Sequence, residues 1–278
     1  MINSVFATNQ QTHETTLLTI SIVTFHPNFS ELEKTLNSLK IALSRLTDEA
    51  YTIIVVDNSS GDEVASFLLR HYPELPVKFI HGQGNVGFGR AHNLAMQQLG
   101  EFHLVINPDI QLDPEALVNA IEFMRAHERC GLLSPYAIWP NGKRQYLCKR
   151  YPSVFDLLLR GFAPQAIRSL FFQRLAEYEL QTETNSAVYW NPPIVSGCFM
   201  FFRSRILKET QGFCEKFFLY FEDFDLSLRT NEITNSAYVP SVRVVHAGGY
   251  ASKKGFWHIR TFIGSAITFY RIHGLRLF

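Results

Sequence analysis

The chain has 278 residues and a formal net charge of +1 at pH 7, from 26 basic and 25 acidic side chains. This balance argues against a nucleic-acid partner, because proteins that bind nucleic acids carry a marked positive excess. Hydrophobic residues make up 46% and aromatic residues 14% of the sequence, which argues against intrinsic disorder and can fill a large core.

The four cysteines are widely spaced and include no C-x-x-C pair, so neither a zinc site nor a disulfide framework is indicated. Reduced cysteines fit a cytoplasmic protein. Residues 1–16 are polar and lack the features of a signal peptide, and we interpret them as an N-terminal extension. No apolar run reaches the ~18 residues that a membrane-spanning helix requires.

Apolar strands and helical patterns alternate over the first half of the chain. Strands are predicted at Leu17–Phe25, Tyr51–Val56, Val77–Ile80 and Phe102–Ile106. The spacing of Leu32, Leu36, Leu39 and Leu43 predicts a first helix, and further helices are predicted over Val64–Tyr72 and from the turn at Gly82–Gly89 to Gln98. A fourth helix should begin with Asp113 as its N-cap and Pro114 as its first residue. This alternation predicts an α/β fold with a parallel sheet, whose ligands bind at the carboxyl ends of the strands.

The pattern changes after residue 130. We expect a hairpin that joins Tyr136–Trp139 to Arg144–Leu147, a helix over Val154–Leu175, a strand over Ile194–Phe202 that is interrupted at Ser196 and Gly197, strands at Ala237–Val239 and Val242–Val245, and a helix over Phe256–His273. No repeat or linker is evident, so residues 17–278 are expected to form one domain with two halves, 17–130 and 131–278.

An aromatic run, Phe217–Phe221, leads directly into the carboxylates of Glu222, Asp223 and Asp225. Aromatic surroundings raise carboxylate pKa values and neighbouring carboxylates push them apart, which is how a general base is made. The alternative is a helix N-terminus, where acidic residues suit the helix dipole and Asp225 pairs with Arg229 one turn later.

Polar residues follow several predicted strands. Asp57 is either an acceptor for the N3–H of a pyrimidine base or the start of an Asx-type turn. The glycine-spaced segment Asn85–Asn93 enters a helix and suits a phosphate, although its spacing is not G-x-G-x-x-G. Asp109 is a candidate Mg²⁺ ligand if diphosphate oxygens complete the shell, and His246 is either a further ligand or an ordinary hydrogen-bonded histidine.

The last predicted helix carries aromatic and basic residues. Trp257, Phe262 and Tyr270 accompany Arg260 and Arg271. Such a helix either lies in a membrane interface or packs on the core with a solvated basic edge, and both interpretations stay open.

Taken in order, these motifs resemble the family 2 glycosyltransferases of the GT-A fold, and among them the bacterial rhamnosyltransferases of O-antigen and related cell-surface polysaccharides. The resemblance covers about residues 18 to 273. It rests on Val56–Ser60, Asn85–Asn93, Asn107–Asp109, Ser196–Met200, Tyr220–Arg229 and His246–Gly249.

The resemblance implies a GT-A (Rossmann-like) fold with helices flanking a mostly parallel sheet, a nucleotide-sugar half before residue 130 and an acceptor side after it. It implies catalytic roles for Asp223, as the base, and Glu222. The implied donor-binding residues are Thr24, Phe25, Asp57, Asn58, Asn85, Gly87, Arg90, Asn93, Asn107, Asp109 and Gly197. Mg²⁺ or Mn²⁺ is implied at Asp109 and His246, and Tyr220, Asp225 and Arg229 are implied as acceptor-side or supporting residues.

The implied reaction is inverting transfer of L-rhamnose from dTDP-L-rhamnose to a saccharide acceptor carried on a polyprenyl diphosphate, at the inner face of the plasma membrane. A UDP-hexose or UDP-N-acetylhexosamine donor is the first alternative. A nucleotidyltransferase is a weaker one, because the loop Thr24–Asn28 has no glycine, Lys or Arg. A non-catalytic sugar-binding relative is disfavoured by the three adjacent carboxylates.

Overall fold

The computed structural model describes residues 16–47, 49–248 and 255–278. Most of the expected N-terminal extension and Gly249 lie outside the described residues. The first half contains the strands β1 Leu18–Thr24, β2 Tyr51–Asp57, β3 Val77–Ile80, β4 Phe102–Ile106 and β5 Ile110–Leu112, and the helices α1 Phe29–Leu43, α2 Glu63–His71, α3 Phe88–Ala95 and α4 Ala116–Ala126.

The second half contributes the strands β6 Cys130–Ile138, β7 Arg144–Gln145, β8 Cys148–Lys149, β9 Tyr189–Trp190, β10 Ile194–Val195, β11 Phe199–Arg203 and β12 Asn235–His246. Its helices are α5 Val154–Phe162, α6 Gln165–Leu170, α7 Phe172–Tyr178, α8 Ser204–Glu209, α9 Glu222–Ile233 and α10 Phe256–His273.

The central sheet follows the strand order β3-β2-β1-β4-β11-β6-β12-β5, and β7 and β9 pair at its side. β3, β2, β1 and β4 are parallel, β11 enters antiparallel between β4 and β6, and β12 runs parallel to β6. Helices flank the sheet, so the expected α/β fold with a mostly parallel sheet is confirmed. β12 lies between β6 and β5, which interleaves the two halves of the chain.

Burial explains why the first elements form. All seven residues of β1 are buried, as expected for a strand covered on both faces. Leu32, Leu36 and Leu39 of α1 are fully buried, and each contributes about 1.5–3 kcal/mol by leaving water. The side chain of Asn28 caps α1 by accepting bonds from the N–H groups of Ser30 and Glu31.

Two predicted boundaries in the helices were wrong. The helix expected over Val154–Leu175 is divided into α5, α6 and α7. α5 ends before Pro164, which lacks an N–H, and Ala163 is extended, with ψ 137°. A second break lies at Phe171, with φ −111° and ψ 25°. α4 begins at Ala116 and not at Pro114, since Asp113 accepts a bond from the Glu115 N–H and closes a turn first.

Two predicted strands also differ from the structure. The strand expected over Ile194–Phe202 is split into β10 and β11 by a turn at residues 196–198. The two strands expected over 237–245 are one strand, β12, whose register with β6 shifts between Val239 and Arg243. Pro240 lies in that shift, where a missing ladder hydrogen bond is tolerated. The hairpin of β6 and β7 is confirmed.

Candidate active site

The parallel strands place their polar C-terminal residues along one edge of the sheet. Thr24, at the end of β1, is in register with Asp57, at the end of β2. Ile106, at the end of β4, pairs with Ile22, so Asn107 emerges at the same edge. The backbone N–H of Asn107 donates to the Cys198 carbonyl at 3.0 Å, which joins this edge to the turn before β11.

Asp57 is fully buried at this edge, and one of its two carboxylate oxygens accepts hydrogen bonds from described residues. Oδ1 accepts bonds from the Thr24 hydroxyl at 2.9 Å and from the Ser59 N–H at 3.1 Å, the second of which is the expected Asx-type turn. Oδ2 is buried and has no hydrogen-bond partner among the described residues. A buried acceptor of this kind is normally paired, so Oδ2 is suited to a donor from a ligand.

A network of amides joins the loop after β2 to the loop before α3. Asn58 donates to the Gly87 carbonyl at 3.1 Å, and Asn85 accepts a bond from the Gly87 N–H at 3.1 Å. Gln83, which sequence analysis missed, donates to the Asp57 carbonyl at 2.8 Å and to the Asn58 side chain at 3.1 Å. These bonds fix the loop that was expected to contact the donor.

The loop before α3 also contacts the aromatic segment that precedes α9. Gly87 has φ +89°, and a Cβ there would lie 2.2 Å from the Phe218 carbonyl oxygen. That carbonyl accepts a bond from the Phe88 N–H at 3.1 Å. Only glycine permits both the positive φ and this approach, so the glycine couples the two segments.

Three residues expected to bind the donor lie at the periphery of this network. Phe25 is about half exposed in the loop after β1. Arg90 lies 3.4 Å from Glu215 on the surface. Asn93 donates to the Phe213 carbonyl and accepts from the Phe213 N–H, so its amide ties α3 to the segment before α9.

Asp109 and His246 come together as a pair at the end of β12. Asp109 Oδ1 lies 3.4 Å from His246 Nε2, and neither atom has a hydrogen-bond partner among the described residues. His246 Nδ1 is bonded to Gln145 Oε1 at 3.0 Å, which directs Nε2 towards Asp109. Burial lowers the pKa of His246, but Cys198 and Asp109 outweigh it and raise that pKa to about 10.

This pair fits a divalent cation. The Asp109 carboxylate oxygen is a suitable ligand, and His246 Nε2 becomes one when the cation displaces its proton. The hydrogen bond from His246 Nδ1 to Gln145 is of the kind that orients ligand histidines. The described residues contain no group of three or more His, Cys, Asp or Glu that could hold a metal, so the other ligands would have to come from diphosphate and water.

Asp223 lies in the first turn of α9, behind two residues with unusual backbone angles. Tyr220 has φ +71° and Phe221 φ +65°, which is uncommon for side chains of this size. Such conformations cost of order 1–3 kcal/mol each and concentrate at functional sites. The Tyr220 hydroxyl also bonds the ring of His258 in α10 at 3.0 Å.

The Asp223 carboxylate is held by backbone N–H groups. Oδ2 accepts from Gly197 at 2.8 Å and Oδ1 accepts from Phe224 at 3.0 Å. Gly197 permits this contact because a Cβ there would lie 3.1 Å from the Asp223 Cβ. Burial raises the pKa of Asp223, while these backbone bonds act in the opposite direction. The carboxylate is therefore fixed in position yet more basic than usual.

Glu222 and Asp225 face the interior. Burial and the neighbouring Asp223 raise the pKa of Glu222 well above its usual range, and its Oε2 has no hydrogen-bond partner in the described chain. Asp225 is bonded to Arg229 at 2.8 Å and to His273 of α10 at 2.9 Å. The expected pairing of Asp225 with Arg229 is therefore present and braces the helix.

A cavity of about 1100 Å³ opens beside Asp223. Its lining includes Tyr220, Asp223 and His246, together with Ser196 of the turn that holds Asp223. Asp57 and Glu222 are not among its described lining residues. The cavity therefore lies next to Asp57 and the other strand-end residues. His246 and the turn at 196–198 lie at the boundary between the cavity and those residues.

Sequence analysis missed several residues of this cavity. Arg144 lies between the rings of Tyr136 and Tyr146, with its guanidinium 4.8 and 4.7 Å from their centroids. Lys149 is buried, and burial lowers its pKa to about 8. In the sequence, the feature that could have indicated these residues is the group of basic side chains next to the predicted hairpin. Those side chains have no fixed spacing and match no motif.

Comparison with known proteins agrees with this geometry. Residues 19–211 match the family described as glycosyl transferase family 2. The N-acetylglucosaminyl-diphospho-decaprenol L-rhamnosyltransferase of Mycobacterium tuberculosis is 28% identical over 250 residues, which cover 84% of this chain and 76% of the relative. The rhamnosyltransferase WbbL of Escherichia coli is 24% identical over 255 residues, covering 86% and 89%.

The fold is also that of solved glycosyltransferases. The structure of GalNAc-T7 with UDP, GalNAc and Mn²⁺ aligns with a TM-score of 0.60 at 16% identity, covering 83% of this chain. The alignment spans only 43% of the GalNAc-T7 chain, and the likeness is one of fold. The family match extends over more than half of the chain. The chain therefore belongs to glycosyl transferase family 2 and has the GT-A fold.

Proposed function

We propose that the protein transfers L-rhamnose from dTDP-L-rhamnose, with inversion, to a saccharide acceptor carried on a polyprenyl diphosphate in cell-surface polysaccharide synthesis. The observation that carries the proposal is the Asp223 carboxylate, which two backbone N–H groups hold against a cavity of about 1100 Å³. The choice of sugar and acceptor is supported by the name of the mycobacterial relative.

Asp223 is the proposed general base. Its raised pKa suits proton abstraction from a sugar hydroxyl better than an ordinary aspartate would. As Asp223 takes the proton, the acceptor oxygen forms a bond to the anomeric carbon, and the bond from that carbon to the dTDP oxygen breaks on the opposite face. The configuration inverts and no covalent enzyme intermediate forms.

Donor recognition is assigned to the strand ends. Asp57 Oδ2, buried and without a described partner, is placed to accept the N3–H of thymine. Asp109 and His246 would hold Mg²⁺ or Mn²⁺, which neutralises the charge of the departing diphosphate when it is bound. Asp109→Ala should remove the metal dependence of donor binding in a titration with and without metal, and unchanged dependence would contradict this assignment.

The replacement Asp223→Asn tests the base. We expect kcat to fall by ~10²–10⁴-fold while donor affinity stays within twofold, because only proton removal is lost. In the wild-type protein kcat/KM should decrease as the pH falls through the raised pKa of Asp223, above the usual range for aspartate. Unimpaired transfer by Asp223→Asn would rule out this role.

A UDP-sugar donor is the alternative, since uracil presents the same N3–H to Asp57 as thymine does. A titration of dTDP-L-rhamnose against UDP-glucose, UDP-galactose and UDP-N-acetylglucosamine decides between them. Tighter binding of any UDP-sugar would replace the donor in the proposal and leave the family and the base unchanged.

We also propose a cytoplasmic location with peripheral contact at the membrane that carries the acceptor. None of the described helices is long and apolar enough to cross a bilayer. The supporting observation is the concentration of exposed apolar side chains on α5–α7 and α10, among them Leu170, Phe172, Phe256 and Trp257.

A further inference from the structure

An apolar groove of about 620 Å³ lies between α5 and α10, outside the catalytic residues. Leu158 and Phe162 of α5 face Ile263 and Ile267 of α10 across it, and all four are roughly half exposed. Among the described lining residues, only Tyr270 and Arg271 bring polar groups, so the described lining is apolar along most of its length. The volume is within the usual range for small-molecule sites of about 300–1,000 Å³.

The groove is continuous with the catalytic cavity. Leu157 and Phe262 line both spaces, so an elongated molecule could occupy the cavity and the groove at once. Leu157 is buried in α5, and Phe262 packs against Tyr220, the first of the two positive-φ residues that precede α9. The apolar surface therefore begins next to the residues that position Asp223.

The wall of the catalytic cavity carries more positive than negative charge. Among its described lining residues, Arg144, Lys149, Arg160, Arg168 and the raised-pKa His246 are cationic, against the carboxylates of Glu179 and Asp223.

Glu179 neutralises only part of this charge, since its Oε1 is shared by Lys149 at 3.8 Å and Arg160 at 3.4 Å. The Nε of Arg168 is buried and has no hydrogen-bond partner among the described residues. A buried guanidinium nitrogen without an acceptor is suited to an anionic oxygen from a ligand.

We propose that Lys149, Arg160 and Arg168 bind the diphosphate of a prenyl-diphosphate acceptor, and that the first part of its hydrocarbon chain lies in the groove between α5 and α10. The joined cavity and groove offer one surface for each group of such a molecule: the carboxylate base for the sugar hydroxyl, the cations for the diphosphate and the apolar groove for the hydrocarbon. The proposal rests on the proposed function and identifies which part of the protein recognises its lipid.

The donor diphosphate does not account for these cations. The residues assigned to the donor lie at the ends of β2 and β4 and at His246, whereas the cations come from β8, α5 and α6. A nucleotide held at Asp57 would also leave the apolar groove empty. One amphipathic ligand explains both the groove and the cations beside it.

The test is direct binding of farnesyl diphosphate, measured by isothermal titration calorimetry on the full chain, with inorganic diphosphate and farnesol as separate probes. The wild-type protein should bind farnesyl diphosphate at least ~10-fold more tightly than either fragment, because both subsites are then filled. Addition of dTDP should leave this affinity unchanged. Competition between dTDP and farnesyl diphosphate would place the probe in the donor site and overturn the proposal.

Two sets of variants separate the subsites. Arg168→Gln should weaken farnesyl diphosphate binding by ~10-fold and leave farnesol unaffected. The double variant Ile263→Gln/Ile267→Gln should weaken farnesyl diphosphate by a similar factor and leave inorganic diphosphate unaffected. All three substituted side chains are partly exposed, so the fold should tolerate the changes.

One matched control comes from the same helix, α10, and the other from a helix away from both spaces. Ile259→Gln/Ile272→Gln alters two exposed residues of α10 that do not line the groove, and Lys208→Gln removes an exposed positive charge on α8. Both should bind the probe as the wild type does. Equal losses in controls and test variants, or no loss in the test variants, would overturn the inference. The probe contains no sugar, so sugar transfer that persists in those variants would leave the proposed function standing.

Discussion

The carboxyl of Glu222 is enclosed in the first turn of α9, where burial and the adjacent Asp223 raise its pKa well above the usual range. The folded protein therefore keeps a proton that the unfolded chain releases as the pH rises through the ordinary value for glutamate. Stability must fall with increasing pH across this window, because the unfolded state then binds fewer protons than the folded state.

Glu222→Gln removes this dependence, because glutamine has no proton to release. We expect the difference in free energy of unfolding, variant minus wild type, to become more positive as the pH rises above about 4.5, by at most ~1.4 kcal/mol per pH unit. Urea denaturation at a series of pH values measures the difference. Glu232→Gln, exposed on the same helix, is the control and should change stability by less than ~0.5 kcal/mol. A pH-independent difference for Glu222→Gln would contradict the prediction.

Gly87 provides a second prediction at the level of single residues. Gly87→Ala combines a left-handed backbone with a Cβ 2.2 Å from the Phe218 carbonyl oxygen. Gly84→Ala shares the positive φ, +68°, but has nothing within 4 Å of the added Cβ. Both should lose ~1–2 kcal/mol from the backbone alone. Gly87→Ala should lose a further ~1–3 kcal/mol from the clash, together with donor affinity.

Thermal unfolding and a donor titration on both glycine variants check this prediction. If the two variants lose the same stability and donor affinity, then the contact between Gly87 and Phe218 does not hold the donor loop. The comparison isolates the clash, because the strain of the backbone is common to both substitutions.

Candidate site residues could be selected from the sequence where chemistry restricts the choice. Asp57, Asp109 and His246 were identifiable because each follows an apolar strand, and the structure brings the last two within 3.4 Å. The sequence did not predict the positive φ of Tyr220 and Phe221, since neither is a residue type that favours this conformation. The roles of Asp57, Asp109 and His246 in binding and catalysis stay predictions.

Among the elements, α9 and α10 are joined by hydrogen bonds to the buried carboxylate of Asp225. Asp225 is 1% exposed and contacts both Arg229 of its own helix and His273 of α10. Asp225→Ala leaves both partners without their anion, and we expect a loss of ~3–5 kcal/mol in the free energy of unfolding. Arg125→Ala breaks the exposed pair with Glu49 and should cost less than ~1 kcal/mol.

Denaturant unfolding of the two variants, at the same pH and salt, provides the comparison. A loss for Asp225→Ala as small as that for Arg125→Ala would mean that α10 is held by its apolar contacts alone. Phe269 of α10, which is fully buried against the residues of α9 and the segment before it, would then be the main source of that attachment.

Helices and strands with a regular pattern of apolar residues could be predicted from the sequence. Elements that depend on contacts with distant parts of the chain could not. β1 to β4 and α1 carry continuous or regularly spaced apolar residues. β5, β8 and β9 have only two or three residues each and exist because a partner strand pairs with them. The apolar pattern over 154–175 suggested one helix, but Pro164 ends α5 and a second break follows at Phe171.

At the scale of the whole molecule, apolar side chains are exposed mainly on one group of helices. Phe256 is 82% and Leu170 81% exposed, on α10 and α6 respectively. The double variant Phe256→Ser/Leu170→Ser should reduce sedimentation with vesicles of anionic phospholipid by ~10-fold, because it removes apolar area from the interface. Leu69→Ser, 63% exposed on α2, is the control and should sediment as wild type.

Equal sedimentation of the double variant and the wild type would contradict membrane contact through these helices. The groove proposed for the prenyl chain would be unaffected by that result, since neither Phe256 nor Leu170 is among the described residues that line it. Surface contact and lipid recognition can therefore be tested separately.

The position of β12 also affects how the protein is made. β12 pairs with both β6 and β5, so a nascent chain that has emerged only as far as α9 lacks the strand that joins them. Until residue 246 leaves the ribosome, β5 has no partner from β12 and one side of β6 is an open edge that invites aggregation. The intermediate that precedes β12 thus exposes this edge, and slow translation of the segment from α9 to β12 should lower the soluble yield.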